Sequence, residues 1–420
     1  MIGVGYVGLS CGVCLSELGH KVVCVDIEKE KIDLLNSGET PIVEFGLKDL
    51  LKENLKKQRL SFTTNLKLGV ESSEFIFLCL GTPQMNDGSP DLSTLMHTVS
   101  NLSSLALAGS VIITKSTVPI GTLSSIERTL RRSDVDVVSN PEFVREGSAV
   151  HDFLNPDRIV IGSRSDEISN RVAAIYQSLD APVLITDSAS AEAIKHAANS
   201  FLAVKLSYIN AIAVMCELYG ADVIDVAKGI GLDHRIGSGF LTPGPGWGGS
   251  CLPKDIAALL HMAKAKGFDF SILREAIAVN QFVKDRIIEK VNDLFGGIVS
   301  DRKIAVWGLT FKAETDDLRD SPAIEIISRL LSCGAKVSSF DPAVQVLPKS
   351  IDKSRLTMSA EESCDSAELL IVLTDWPQFA MVNPSQVASR MASLQVLDCR
   401  NILDDKLWRN FGFKYQGIGR

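Results

Sequence analysis

No basic stripe runs through the 420-residue sequence, and its charge balance is negative: 43 Lys and Arg stand against 51 Asp and Glu, a formal net charge of −8. Dispersed cations give no electrostatic footprint for a phosphate backbone, so nucleic acid is excluded as an expected partner. Long apolar runs are scarce as well; no stretch reads as able to span a bilayer, and no membrane association is expected. The N-terminus, MIGVGYVGLSCGVC, lacks the basic leader of a signal peptide and is threaded with glycines, which suits a strand and a turn. Nine cysteines fall at uneven spacings, with Cys24 and Cys79 in strand-like segments and Cys216 in a helical one. An odd count without a leader points to reduced, buried thiols in a cytoplasmic protein, and no metal site is expected.

What is present is α/β texture. The length exceeds what one hydrophobic core organises, so two or three domains are expected. Short apolar runs at 21–26, 74–80, 110–115 and 135–139 alternate with helical patterns, as in a parallel sheet buried on both faces. Residues 191–220 then read as one long helix with Ser190 as N-cap, Glu192 in its first turn and Gly220 beyond its end. A Gly/Pro-rich loop at 240–253 and further helical patterns lead to about Leu294. Alternation resumes with strands at 303–308, 336–340, 369–374 and 394–398 and a helix at 322–333 capped by Ser321. The expected architecture is two Rossmann-like, doubly wound parallel-sheet domains joined by a long central helix in an all-α middle, with boundaries at 1–190, 191–295 and 296–420.

Gly3, Gly5 and Gly8 fit GxGxxG, with Tyr6 and Val7 between, and a helical segment leads to a strand ending at Asp26. Glycines there permit a tight turn and close backbone approach to a pyrophosphate, while an acid at the second strand's end accepts from a ribose and repels a 2′-phosphate. NAD is therefore the expected cofactor. With two residues ahead of Gly3, the first strand is expected to be nearly absent.

The run Gly244-Pro245-Gly246-Trp247-Gly248-Gly249-Ser250-Cys251-Leu252-Pro253-Lys254-Asp255 carries the most chemistry. Its glycines clear a surface that something approaches closely. Pro253 suits a first helical turn, placing Cys251 ahead of a helix N-terminus and near Lys254, both of which favour a thiolate. Lys195 and Asn199 lie four apart on one helix face, as a catalytic pair or as a surface charge beside a capping amide. Lys115 to Pro119 and Asn140 to Glu146 follow strands whose carboxyl ends face a ligand crevice in an open sheet. The second lobe lacks GxGxxG; Lys312, Arg319 and Arg400 are candidates to grip a diphosphate.

Taken together, GVGYVG, KSTVP, NPEFVREGSA, NPDRIVIG, FLTPGPGWGGSCLPKD, GLTFKAETDDLRDSP and DCRN resemble the UDP-glucose and GDP-mannose dehydrogenase family, in its order and over essentially the whole chain. The resemblance implies an NAD domain, a central helix used in homodimerisation and a domain holding a nucleotide sugar. It implies oxidation of the sugar's C6 alcohol to a carboxylate through a thiohemiacetal and a thioester on Cys251. It assigns Glu142 as base toward water, Lys195 and Asn199 to oxyanions, and Thr117 and Asp255 to the catalytic water. Tyr6, Val7, Lys31, Thr82, Thr117, Glu146, Lys254 and Arg319 are implied toward the cofactor, with Gly3, Gly5, Gly8 and Asp26. Glu142, Phe143, Glu146, Lys195, Asn199, Arg235, Phe240, Leu241, Gly244, Gly246, Gly248, Lys312 and Arg400 are implied toward the substrate, Arg235 by reaching a neighbouring subunit. Ser250 stands where N-acetylmannosamine enzymes carry His, and Phe240-Leu241 with Pro-Gly-Pro-Gly favours UDP-glucose over GDP-mannose. The alternatives are a binding protein without chemistry, and a two-electron hydroxyacid dehydrogenase needing neither Cys251 nor the second lobe.

Overall fold

A computed structural model describes all 420 residues. They form two compact units: Met1–Ala198 with Lys254–Phe268, and Asn199–Pro253 with Asp269–Arg420.

In the first unit the strands are β1 (Val22–Val25), β2 (Leu60–Thr63), β3 (Phe75–Leu78), β4 (Val111–Thr114), β5 (Asp136–Ser139), β6 (Ile159–Gly162) and β7 (Val183–Thr186). Along β4, Val111 and Ile113 enter one core cluster and Ile112 the other, so the strand is buried on both faces as a doubly wound sheet requires. The missing first strand is reduced to Met1 and Ile2, but it pairs on both sides. Ile2 bridges Val25 and Leu78, its amide donating to Phe77 O and its carbonyl accepting from Cys79 N, each at 2.8 Å. Two residues thus join the β1–β2 pair to β3–β7.

The sheet is not wholly parallel. β6 meets β5 antiparallel, Ser139 opposite Gly162, and β7 runs with β6. The connection between β5 and β6 holds one helix, Ala149–Leu154, of 6 residues.

The second unit carries β8 (Lys303–Trp307), β9 (Lys336–Phe340), β10 (Arg355–Leu356), β11 (Leu369–Val372), β12 (Gln395–Asp398) and β13 (Lys414–Gly417). Their order is β10-β9-β8-β11-β12-β13 with every pairing parallel, so the winding reverses beside β8, the Rossmann arrangement. Ser321 caps the helix Pro322–Ser332, its Oγ accepting from Ala323 N.

The long helix spans Ser188–Tyr219, 32 residues or about 48 Å at the usual rise. Its start differs from expectation. Ser190 does not cap it; the Asp187 carboxylate does, accepting from Ser190 N at 2.9 Å and Ser190 Oγ at 2.6 Å. Glu192 serves a different helix, its oxygens accepting from Gly121 N and Leu123 N at the start of Thr122–Leu130, where anion and helix dipole attract. Burial pushes its carboxyl above the ordinary value.

The expectation about bilayer-spanning stretches also needs correction. Within Ser188–Tyr219 one 18-residue window has mean hydropathy 1.6, long and apolar enough by length and composition. Its polar groups have protein partners: Ser207 Oγ donates to Ala276 O, and Asn210 Oδ1 accepts from Gly244 N.

Candidate active site

In the first unit the GxGxxG turn shows which glycines serve the fold and which leaves space. Gly3 has φ +90°, and a Cβ on Gly8 would stand 1.9 Å from Gly3 O. Around Gly5 a Cβ would meet nothing within 4 Å, the open side a pyrophosphate needs at the N-terminus of helix Tyr6–Glu17. Asp26 closes the turn, with Oδ2 accepting from Val4 N at 2.8 Å and Lys31 Nζ at 3.2 Å, and Oδ1 from Glu28 N. Burial raises its carboxyl, but the two amides and the Lys31 charge outweigh it and hold it below the usual range. These residues fit a dinucleotide: an open backbone cradle beside an ionised acid. Tyr6 bonds through its hydroxyl to Glu44 and accepts from Gly147 N, tying the turn to the loop that carries Glu146, which is half-buried.

A cleft in this unit brings Thr82, Thr117, Lys254 and Asp255 together, with His196 beside them. Thr82 Oγ1 donates to Thr117 O at 2.9 Å, and Lys254 Nζ donates to Asp255 Oδ1 at 2.5 Å. Asp255 is 3% exposed. Lys195 is also buried, its Nζ 5.1 Å from the Phe143 ring, which Arg158 covers at 3.8 Å. Asn199, four residues further along the helix, is buried too.

Glu142 has been turned inward. Oε2 accepts from Lys115 Nζ at 2.7 Å and Cys11 Sγ at 3.1 Å; Oε1 accepts from Phe143 N and Val144 N. Burial raises its carboxyl, yet the Lys115 ammonium wins and holds it down. Lys115 and Cys11 went unassigned in the sequence. Cys11 and Cys14 are in fact spaced CxxC, but both lie buried on one helix and no group of metal-ligating side chains gathers anywhere. All nine cysteines are unpaired thiols.

In the second unit the expectation about the glycine-rich loop changes. The surface its glycines admit is largely the protein's own: a Cβ on Gly248 would stand 1.9 Å from Asp320 O, and one on Gly246 2.7 Å from Asn280 Oδ1. Asn280, another residue the sequence did not single out, accepts from Trp247 N at 2.7 Å and donates to Trp247 O at 3.0 Å. A Cβ on Gly244 would lie 2.9 Å from Arg400 Nη1. Arg400 is anchored through Nε to Leu373 O and Nη2 to Phe311 O.

Leu241 is 4% exposed and belongs to the core cluster that also holds Val223. Phe240 sits at φ 59° with a partly exposed ring. Arg235, with a side chain 78% exposed, is held by Asp233. Arg319 grips Asp317 through Nε and Nη2, and Lys312 Nζ lies 5.8 Å from the Phe311 ring. Cys251 is exposed, with Ser250 Oγ 3.5 Å from Sγ, and immediately precedes the helix Leu252–Ala265.

The second lobe reuses the turn geometry of the first. Asp341, one residue past β9, accepts from Leu309 N at 2.7 Å, as Asp26 accepts from Val4 N. Here Thr310 N, Thr310 Oγ1 and Trp376 Nε1 also donate to the same oxygen, Oδ2, while Oδ1 accepts from Ala343 N as Asp26 Oδ1 accepts from Glu28 N.

Comparison with known proteins agrees with this layout. Residues 1–180 match the NAD binding domain of the UDP-glucose/GDP-mannose dehydrogenase family, 189–282 its central domain and 305–405 its UDP binding domain. The UDP-glucose 6-dehydrogenase of Rhizobium meliloti is 42% identical over 431 residues, covering 100% of this chain and 99% of that one. UDP-glucose 6-dehydrogenase TuaD of Bacillus subtilis is 40% identical, covering 100% and 92%. A UDP-glucose dehydrogenase structure from Pyrobaculum islandicum superposes with a TM-score of 0.90 at 32% identity, covering 100% and 96%. With an NAD turn, a cysteine-bearing glycine loop and a second nucleotide lobe in one order, and relatives alike from end to end, the chain belongs to the UDP-glucose/GDP-mannose dehydrogenase family.

Proposed function

We propose that this chain oxidises UDP-glucose to UDP-glucuronate, consuming two NAD and one water per sugar. The observation that carries the reading is Cys251: an exposed thiol at the start of the helix whose first turn bears Lys254 and Asp255, in a chain 42% identical to a UDP-glucose 6-dehydrogenase over its full length. Gly3, Gly5, Tyr6, Val7, Gly8 and Asp26, with Lys31, Thr82, Thr117, Glu146, Lys254 and Arg319 as further contacts, would hold NAD, which would supply the hydride acceptor for both oxidations.

Cys251 Sγ adds to the C6 aldehyde, so that no free aldehyde escapes, and then carries the acyl group as a thioester. Lys195 and Asn199 stabilise the oxyanion that develops at each addition. Thr117 and Asp255 position a water. Glu142 takes its proton as the water oxygen bonds to the acyl carbon and the C–S bond breaks, returning the thiol and the carboxylate. Arg400 and Lys312 hold the diphosphate, with Phe143, Arg235, Phe240, Leu241, Gly244, Gly246 and Gly248 shaping the sugar site.

The domain boundaries 1–190, 191–295 and 296–420 belong to this proposal, as does a cytoplasmic location, supported by nine free thiols. So does a homodimer: Phe201, Tyr208 and Met215, seven apart on the long helix, are 64%, 56% and 47% exposed.

The test is stoichiometric. Purified protein, NAD and a panel including UDP-glucose and GDP-mannose should give two NADH per UDP-glucose consumed. One per sugar would indicate a simple alcohol dehydrogenase; none with any sugar, a binding protein. Cys251→Ser should bind NAD normally and make no acid; undiminished uronate from that variant would remove the covalent route.

A further inference from the structure

Lys115 follows β4 by one residue and Glu142 follows β5 by three, and Thr114 and Ser139 are paired in register, so both side chains leave the same end of neighbouring strands. The two side chains are 4% and 13% exposed. The ammonium's surroundings are the Glu142 carboxylate and the faces of Phe153 and Tyr176, at 5.9 and 5.5 Å. A lysine this deep is costly unless paired, and a strand end could be anchored far more simply by an apolar residue.

We propose that Lys115 is a positioning residue for thioester hydrolysis: through its 2.7 Å ion pair it fixes the Glu142 carboxylate in a single inward orientation. The inference rests on the reading of Glu142 as the base toward water. Of the groups that act on Glu142, Lys115 opposes its desolvation most strongly. From the helix Tyr6–Glu17, Cys11 and Cys14 face Glu142; from the end of β3 comes Cys79, and from beyond β6 Tyr176. Burial pushes the thiols of Cys14 and Cys79 up to about 12, and the Cys11 thiol and the Tyr176 hydroxyl upward too, so all four are neutral near pH 7. Arg158 and Asp152 line the adjoining cavity, but Arg158 lies on the Phe143 ring and Asp152 is engaged by Arg145. Without Lys115 the desolvation of Glu142 loses its largest opponent, and the Cys11 thiol and Phe143 N are the next contributors. Its carboxyl then rises, which weakens both its charge and its reason to face inward.

Lys115→Met, Lys115→Arg and the double variant Lys115→Met/Glu142→Gln test this. In Lys115→Met, steady turnover with UDP-glucose should fall roughly tenfold or more, and the acid limb of its pH profile should move up by about one unit or more. Formation of the first NADH should stay within about threefold, because hydride transfer precedes the water step. Lys115→Arg should bring the limb back most of the way. A limb that stays in place, or an equal loss in both steps, overturns the proposal.

Melting supplies a readout independent of turnover. A carboxyl raised in the folded state contributes stability in full below the unfolded pKa of about 4.3 and loses it as pH rises through the folded value, so Lys115→Met should lose thermal stability with rising pH above about 4.3, and adding Glu142→Gln should abolish that slope. Identical slopes in the two variants also overturn it. If wild-type protein oxidises no nucleotide sugar, the functional reading fails, while the melting slopes still report whether Lys115 holds Glu142.

Discussion

Arg400 Nη1 lies 2.9 Å from the point a Cβ on Gly244 would occupy, so the glycine is the space in which the guanidinium rests. The arginine's other nitrogens are tied to Leu373 O and Phe311 O, which prevents it from simply stepping aside. Gly244→Ala should therefore misdirect Arg400 without unfolding the second unit. The expected outcome is a KM for the nucleotide sugar raised roughly tenfold, equivalent to about 1.4 kcal/mol, with the melting temperature nearly unchanged. An unaltered KM would show that Arg400 does not touch the substrate.

Asp26 closes the turn through Val4 N and Glu28 N, and under the proposed function its carboxylate also accepts from a ribose. Asp26→Ser should weaken NAD binding roughly tenfold to a hundredfold, the range for losing a charge-assisted hydrogen bond, and raise the NADP/NAD preference. Calorimetric titration with each dinucleotide checks it; a Kd within twofold of the parent's would free Asp26 from the ribose. The pH sign follows from its depressed carboxyl. The folded state favours the ionised form, so this stability is present above the unfolded pKa of about 3.9 and is lost as pH falls through the lower folded value. The serine variant should lack that component of acid unfolding.

Much of the fold was legible because its signals are local. Apolar runs buried on both faces placed β4 and β5, and Ser321 with Pro322 placed the start of its helix to the residue. The reversal of β6 was not, since strand direction depends on where a connection lands, and no side chain near Ser139 encodes that. Strand β7 went unseen because it is four residues long and mostly exposed. At the site, motifs identified Cys251, Thr82, Thr117, Lys254 and Asp255. Lys115 and Asn280 were illegible as partners because each meets its counterpart through tertiary packing, Asn280 at a separation of 33 residues from Trp247.

Asn280 shows what that hidden layer does. It is 7% exposed and its amide reads Trp247 in both directions, donor and acceptor, directly upstream of Gly248 and Cys251. Asn280→Ala strands a buried N–H and C=O, costing about 2–4 kcal/mol at roughly 1–2 per unsatisfied group. The glycine loop should loosen before the sheet does. NAD titration should thus be unaffected while kcat drops roughly tenfold or more. A variant with normal kcat and a lowered melting temperature would assign Asn280 to stability alone.

The long helix poses a last question, because its apolar window is only 33% buried and Phe201, Tyr208 and Met215 share one exposed stripe. Such a stripe must be covered by another copy, by lipid, or by nothing. The helix interior argues for a copy: Ser207 and Asn210 spend their polar groups on Ala276 O and Gly244 N, contacts that a bilayer-inserted helix would have to break. Tyr208→Glu places a charge in the middle of the stripe and should convert a dimer into a monomer by light scattering. If Arg235, tethered to Asp233, completes a neighbour's site, turnover should fall with dimer fraction and recover at high protein concentration. A wild-type chain that is monomeric at micromolar concentration, or one that floats with phosphatidylcholine vesicles, would sink the dimer.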